Sequence, residues 1–349
     1  MYLCKKIHDM KQGLFTVAEV NAMIEKGDTL LLAGDASLLS QLQKGKWIGG
    51  STSRFLESGK EPICERNKIF VHNMTDFAAE LKFEVYDASN IKNIYDDAYD
   101  NGFSVLIVPP FTDVVQEYTA NCSNYSNFGS RAVCGWAAVT YLYSDYELND
   151  ESIVFFGKDG SVHKDEGLVM HIGLAPDKFA EIHVFSPFKP EEGDVITFEE
   201  NRQQVEYALI NGNKQNFRQY LNDQHIDRTH DASVISHKCL AGNYGGIYMN
   251  VAIASEKESD LGKYVTLGAP VYKGIQYGLA NMENIDYESM KKHFHGEVVL
   301  SFTCVNNYAN PDIFSKALTH MNGPFTYGEI AYFLMSNATV YVTVGNVSN

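Results

Sequence analysis

Two short polar strings in the sequence carry residue types suited to holding a small charged molecule. The first runs Gly49, Gly50, Ser51, Thr52, Ser53, Arg54 after the apolar pair Trp47–Ile48. Paired glycines let backbone N–H groups form a concave nest, hydroxyls add donors, and an arginine can grip a carboxylate or phosphate through two parallel hydrogen bonds. The same residues also make an ordinary tight turn whose hydroxyls cap backbone groups. The second string holds Tyr327, Gly328 and Glu329, which offers a carboxylate to a ligand ammonium beside an aromatic wall. A surface glutamate next to a turn glycine is the plainer account. Against it, Phe325, Ile330 and Tyr332 surround the glutamate with apolar residues, and an unpaired buried carboxylate is costly. The two strings complement a zwitterion if they converge on a cleft between two halves of the molecule. Gly49, Gly50, Ser51, Thr52, Arg54, Tyr327 and Glu329 are therefore the expected ligand contacts.

Nucleophilic catalysis is the competing chemistry. Cys304, Cys134 or Ser51 would attack, with His171, His183 or His320 as base, giving a cysteine- or serine-dependent hydrolase. Cys304 ends an apolar run and Cys134 precedes Gly135–Trp136 in a strand-like stretch, where cysteine ordinarily packs as a small hydrophobe. The remaining cysteines, 4, 64, 122 and 239, form no Cys-x-x-Cys pair. His225, His230 and His237, or His293 and His295 with His320, lack any established metal-ligand spacing, and no phosphate-binding glycine loop follows a strand. The reading accordingly assigns no catalytic residue, no metal and no cofactor.

The elements that must position these residues alternate early and turn strand-rich later. Thr16 and Glu19 form a capping-box pattern for a helix over 17–26, with Val17, Val20, Met23 and Ile24 on one face. A buried strand follows at 29–33, then a short helix at 38–42. A second helix is expected from Ser89 to Asp100, with Ile91, Ile94, Tyr95 and Ala98 inward, before a strand at 103–108. Strands at 132–143, 153–156, 168–174, 180–185 and 195–198 lie too close together for helical crossovers, which points to mixed or antiparallel sheets. Residues 205–210, an Asn211–Gly212 turn and a helix over 213–221 come next. Periodicity weakens over 222–246, so a boundary is placed near 222; strands at 246–254, 265–267, 296–304 and 338–344 and a helix over 311–321 complete the chain. The expected fold is α/β (α+β), with mixed β-sheets layered with helices in two packed domains, 1–221 and 222–349.

Charge and composition narrow the partners. A formal net charge of -16 opposes nucleic-acid backbones and anionic membrane surfaces, both of which require a basic footprint. No apolar stretch approaches a membrane span or a signal h-region, and dispersed cysteines suit a reducing cytoplasm.

Four strings, WIGGST (47–52), ALING (208–212), VVLSFTC (298–304) and GPFTYGEI (323–330), resemble in order and spacing the FIST sensory-domain family. The last is similar to the family pattern GFYTYGEI. The resemblance covers most of the chain, an N-terminal part over 1–221 and a C-terminal part over 222–349. It implies a cytoplasmic input domain for small molecules, amino acids or their derivatives being the usual proposal. Such domains feed a signalling module; none is visible in this chain, so a separate signalling protein is the implied partner.

Overall fold

The computed structural model describes residues 12–75, 78–139, 152–226, 238–259, 262–283, 285, 298–309 and 321–347. Among the described residues strands far outnumber helices and form four sheets, so the fold is mixed α/β but β-rich. The first sheet orders its strands Gln12–Phe15, Ile69–Asn73, Thr29–Gly34, Lys46–Ser51, Val154–Phe156 and Ser161–His163. The second runs Phe333–Met335, Gly328–Ala331, Ala132–Ala137, Gly102–Val108, Gly167–Gly173 and Glu80–Tyr86. The third runs Lys178–Phe185, Thr339–Asn346, Val298–Cys304, Gly323–Thr326, Arg54–Leu56 and Ile63–Cys64. The eight-stranded fourth sheet includes Arg202–Val205, Gly262–Val271, Ile247–Ser259 and Lys238–Tyr244 as consecutive neighbours. Strands from either side of residue 222 pair in three of the four sheets.

Sheet packs on sheet because the buried strands are apolar on both faces. Leu31, Ile48 and Phe70 of the first sheet share one core with Val105, Ile107, Trp136 and Met170 of the second and Phe302 and Val340 of the third. The outer faces take the helices. Helix Val17–Glu25 lays Val20, Met23 and Ile24 over Leu30, Leu32 and Trp47, and helix Asp113–Asn121 lays Val114, Val115 and Tyr118 over Leu106, Val108 and Val169. The fourth sheet closes a core of its own around Ile210, Phe217, Leu240, Val265 and Tyr277.

Several expected elements hold with small shifts. The capping box at Thr16 is formed, with Glu19 Oε2 accepting from the Thr16 backbone N–H at 2.8 Å. The Asn211–Gly212 turn joins strands Tyr207–Ile210 and Asn213–Asn216, with both residues at positive φ. That hairpin displaces the start of the expected helix, which is confined to Phe217–Asp223 and capped by the Asn216 side chain. The helix expected over 89–100 is reduced to one 3-10 turn, Ile91–Asn93. Asp87 Oδ1 there accepts from the N–H groups of Ser89 and Asn90, a local bonding pattern that competes with a longer helix. Ile91, Ile94, Tyr95 and Ala98 are nevertheless buried as the pattern requires. Most of the expected 311–321 helix and the end of the 132–143 strand lie outside the described residues.

Candidate functional site

The stretch from Gly49 to Arg54 is not a loop. Lys46–Ser51 is an interior strand, parallel to Thr29–Gly34 and antiparallel to Val154–Phe156, and Arg54–Leu56 begins another. Neither Gly49 nor Gly50 has positive φ, so the expected nest is absent. Their role is space. A Cβ on Gly50 would sit 2.8 Å from Ile107 Cγ2 and 3.0 Å from Trp136 Nε1, on the facing sheet. One on Gly49 would meet Leu32 Cβ at 3.2 Å.

The hydroxyls that follow are spent on backbone. Ser51 Oγ accepts from Ile153 N–H at 3.2 Å, and Thr52 Oγ1 donates to the Phe325 carbonyl at 2.7 Å. Thr52 thus ties the first string directly to the last. Arg54 lies with its guanidinium 4.9 Å from the centre of the Tyr308 ring, a cation–π contact. The two strings therefore converge, but as the packed junction of three sheets.

Glu329 is wholly buried within strand Gly328–Ala331, between Ala132–Ala137 and Phe333–Met335. Its Oε1 accepts from Thr326 Oγ1 at 2.7 Å, while Oε2 has no hydrogen-bond partner among the described residues. Burial pushes its pKa well above the usual carboxyl range, against smaller opposing effects from Thr326, the Ala338 backbone and the Cys304 thiol. The partial burial that its apolar neighbours imply is complete here, and the carboxyl faces the Thr326 hydroxyl rather than an open cleft where a ligand ammonium could reach it. Tyr327 alone of this string remains partly open, its N–H donating to Ala137 O at 3.1 Å and its ring 5.1 Å from Phe111, edge to face.

Phe111 leads to a cavity. A space of about 360 Å³ opens between helix Asp113–Asn121 and the strands Arg202–Val205 and Gly262–Val271, within the size range of small-ligand pockets. Phe111 lines it half-exposed at φ 62°, a backbone conformation that non-glycine residues rarely hold. Thr266 lines it from the opposite side, 95% buried, with Oγ1 lacking any hydrogen-bond partner among the described residues. Gln203 is fixed by its Nε2 donating to Leu267 O at 3.0 Å. Asn201 fastens the two sides together, donating to Ala120 O at 3.1 Å and accepting from Lys273 N–H at 2.9 Å. Among the described lining residues the only formal charge is Arg202, paired at 2.6 Å with Glu200. The wall is thus rich in amides and hydroxyls, with no lining carboxylate among those residues.

The residues proposed for hydrolysis are placed differently. Burial, with the neighbouring Glu329 carboxyl second, pushes the Cys304 thiol far above its ordinary value, and burial does the same to Cys134. A thiol so held is not a nucleophile at neutral pH. His171 sits between Ser104 Oγ at 2.7 Å and Tyr86 OH at 3.2 Å, and His183 Nε2 meets Thr343 Oγ1 at 2.7 Å. His320 lies outside the described residues. No group of three or more His, Cys, Asp or Glu able to hold a metal occurs among the described residues, and no described helix is long and apolar enough to cross a membrane.

Sequence reasoning missed the cavity. A signal existed for its helix: Thr112 precedes Asp113, and Val114, Val115 and Tyr118 recur at helical spacing. Nothing in the sequence marks Thr266 or Gln203, because their significance lies in what their strands face. The model of a family of unknown function (DUF6976) matches residues 15–345. No curated protein matches the chain.

Proposed function

The chain belongs to this family of unknown function, DUF6976, and from that premise we propose that it is a small-molecule-binding sensory protein of intracellular signalling that holds its ligand without turning it over. The observation that carries the reading is Thr266, a residue that lines a cavity of ligand size and whose buried hydroxyl has no hydrogen-bond partner among the described residues. A buried polar group left unpaired costs about 1–3 kcal/mol, and a ligand that supplies the missing bond recovers it. The amide-lined wall favours a small neutral or singly anionic molecule with hydrogen-bonding groups, with Phe111 as a flat contact at the rim. Amino acids and their derivatives enter as one arm of the test; the lining offers Arg202 to a carboxylate but no acid to the ammonium.

On this reading the parts 1–221 and 222–349 act as the two sides of the seat, since the helix and Arg202–Val205 come from one and Thr266 from the other. The likeness of the four strings to FIST sensory domains supports a sensing role, with a cytoplasmic location and a separate signalling protein as receiver. The alternative, a hydrolase acting through Cys304, Cys134 or Ser51, gains no support from a site in which the thiols are held protonated and Ser51 is occupied by backbone.

A thermal-shift screen of neutral polar metabolite-like compounds and amino acids tests the proposal. Binding to the native state raises Tm, and a compound at a hundred times its Kd stabilises by about 2.7 kcal/mol. Thr266→Val should weaken the response to the best compound at least about fivefold in Kd. An unchanged response in that variant, or no compound that stabilises, would overturn the assignment of the seat.

A further inference from the structure

We propose that Ser161, His163 and Glu166 form an acyl-accepting site at the edge of the first sheet, suited to small carboxylic esters. This site shares no residue with the cavity and goes beyond the sensing role. Ser161 Oγ lies 2.7 Å from His163 Nε2, and His163 Nδ1 lies 3.3 Å from Glu166 Oε2. A carboxylate at Nδ1 selects the tautomer with its proton there, which leaves the Nε2 lone pair to receive the serine hydroxyl. Nucleophile, base and orienting acid therefore stand in the order that acyl transfer requires, a constellation defined by geometry rather than by sequence position.

The fold explains how three such residues meet. Ser161–His163 is the terminal strand of its sheet, so residues 161 and 163 project to one face while Val162 projects to the other, exposed. Pairing of Ser161 with Phe156 and of His163 with Val154 places both side chains on the face of the shared core, at its open rim. The turn is fixed by Asp159, whose Oδ1 accepts from the Ser161 N–H at 2.9 Å. Beside the hydroxyl, the Phe156 ring lies 6.4 Å from the imidazole and 6.5 Å from the Phe83 ring, an apolar wall for an acyl chain. Ser161 and His163 are half-buried, so a small ester can reach them.

In the first step Ser161 Oγ bonds to the ester carbonyl carbon and its proton passes to His163 Nε2. The carbon–oxygen bond to the leaving alcohol then breaks, and the alcohol departs with that proton. Water attacks the acyl-serine, gives a proton to His163, and the carboxylic acid leaves as Ser161 recovers its proton. Ser161 and His163 are the catalytic residues; Glu166 is a positioning residue.

The test uses the full chain with a fluorophosphonate probe and with p-nitrophenyl acetate. Peptide mass mapping of the unmutated protein should locate the phosphonyl group on Ser161, and His163→Gln should slow labelling about a hundredfold or more. Glu166→Gln should slow labelling at Ser161 while leaving the melting temperature unchanged, and Glu166→Asp, which keeps the carboxylate, should recover part of the rate. Equal rates in the two variants and the parent would assign Glu166 a merely structural hydrogen bond. Label spread over other serines, or a His163→Gln rate equal to that of the unmutated chain, would overturn the proposal.

Discussion

Thr52 and Phe325, 273 residues apart in sequence, are joined by a 2.7 Å hydrogen bond from the threonine hydroxyl to the phenylalanine carbonyl. Thr52 leads into strand Arg54–Leu56, which pairs antiparallel with Gly323–Thr326, so the bond locks the first sheet to the third where both strands begin their contact. Thr52→Val leaves the buried carbonyl without this donor and should cost about 1–3 kcal/mol in a urea melt. Thr52→Ser keeps the hydroxyl and should cost clearly less. Equal losses in the two variants would show that the methyl packing, not the bond, matters.

Gly50 sets how closely the first two sheets approach. A methyl there meets Ile107 Cγ2 at 2.8 Å, so Gly50→Ala should destabilise by about 1–3 kcal/mol through overpacking. Gly193→Ala is the control, since nothing lies within 4 Å of its added carbon and its φ is not in the left-handed region. Its Tm should stay within about a degree or two of the parent.

Glu329 makes the fold favour acid. Its carboxyl is held above its ordinary value of 4.5, so the folded state keeps a proton that the unfolded chain releases. The contribution is fully present below pH 4.5 and is lost as pH rises toward the folded value. Glu329→Gln carries no proton to lose. Its Tm relative to the parent should therefore climb steadily between pH 4.5 and 8; a constant difference over that window would contradict a buried neutral acid.

Two buried histidines oppose that trend and differ from each other. His72 and His171 are both pushed down to about 3 by burial, with Lys82 adding to the effect on His171. Each stays neutral in the fold, so the stability it contributes is present above pH 6.5 and drains as pH falls toward 3. Neither ring nitrogen of His72 has a hydrogen-bond partner among the described residues, whereas His171 joins Ser104 and Tyr86, whose hydroxyl in turn donates to Asp97 at 2.8 Å. His72→Leu should be near neutral or stabilising at pH 7 and should flatten the acid limb of the Tm profile. His171→Leu should lose about 1–3 kcal/mol at pH 7 by stranding the buried Ser104 hydroxyl, while Tyr86 keeps its bond to Asp97. Melts at pH 4 to 8 distinguish the pair.

Local rules were legible in the sequence where local bonds decide the outcome. The Thr16–Glu19 box and the Asn211–Gly212 turn formed as written, because their geometry is set within a few residues. The inward faces of Ile91, Ile94 and Tyr95 were also readable, though the backbone carrying them is not the expected helix. Gly49–Gly50 misled because glycine has two meanings: freedom at positive φ, or absence of a side chain where another sheet must come close. Only the facing residues Ile107 and Trp136, far along the chain, decide for the second. The cavity was illegible for a related reason, since Phe111 and Thr266 are brought together by sheet order that no single segment encodes.

The most direct measurement is a crystal structure of the full chain soaked with the most stabilising compound of the thermal screen. The account predicts ligand density in the cavity, with a polar atom about 2.7–3.2 Å from Thr266 Oγ1 and the compound in contact with Phe111. Density for that compound at any other place, with the cavity holding solvent alone, would contradict it.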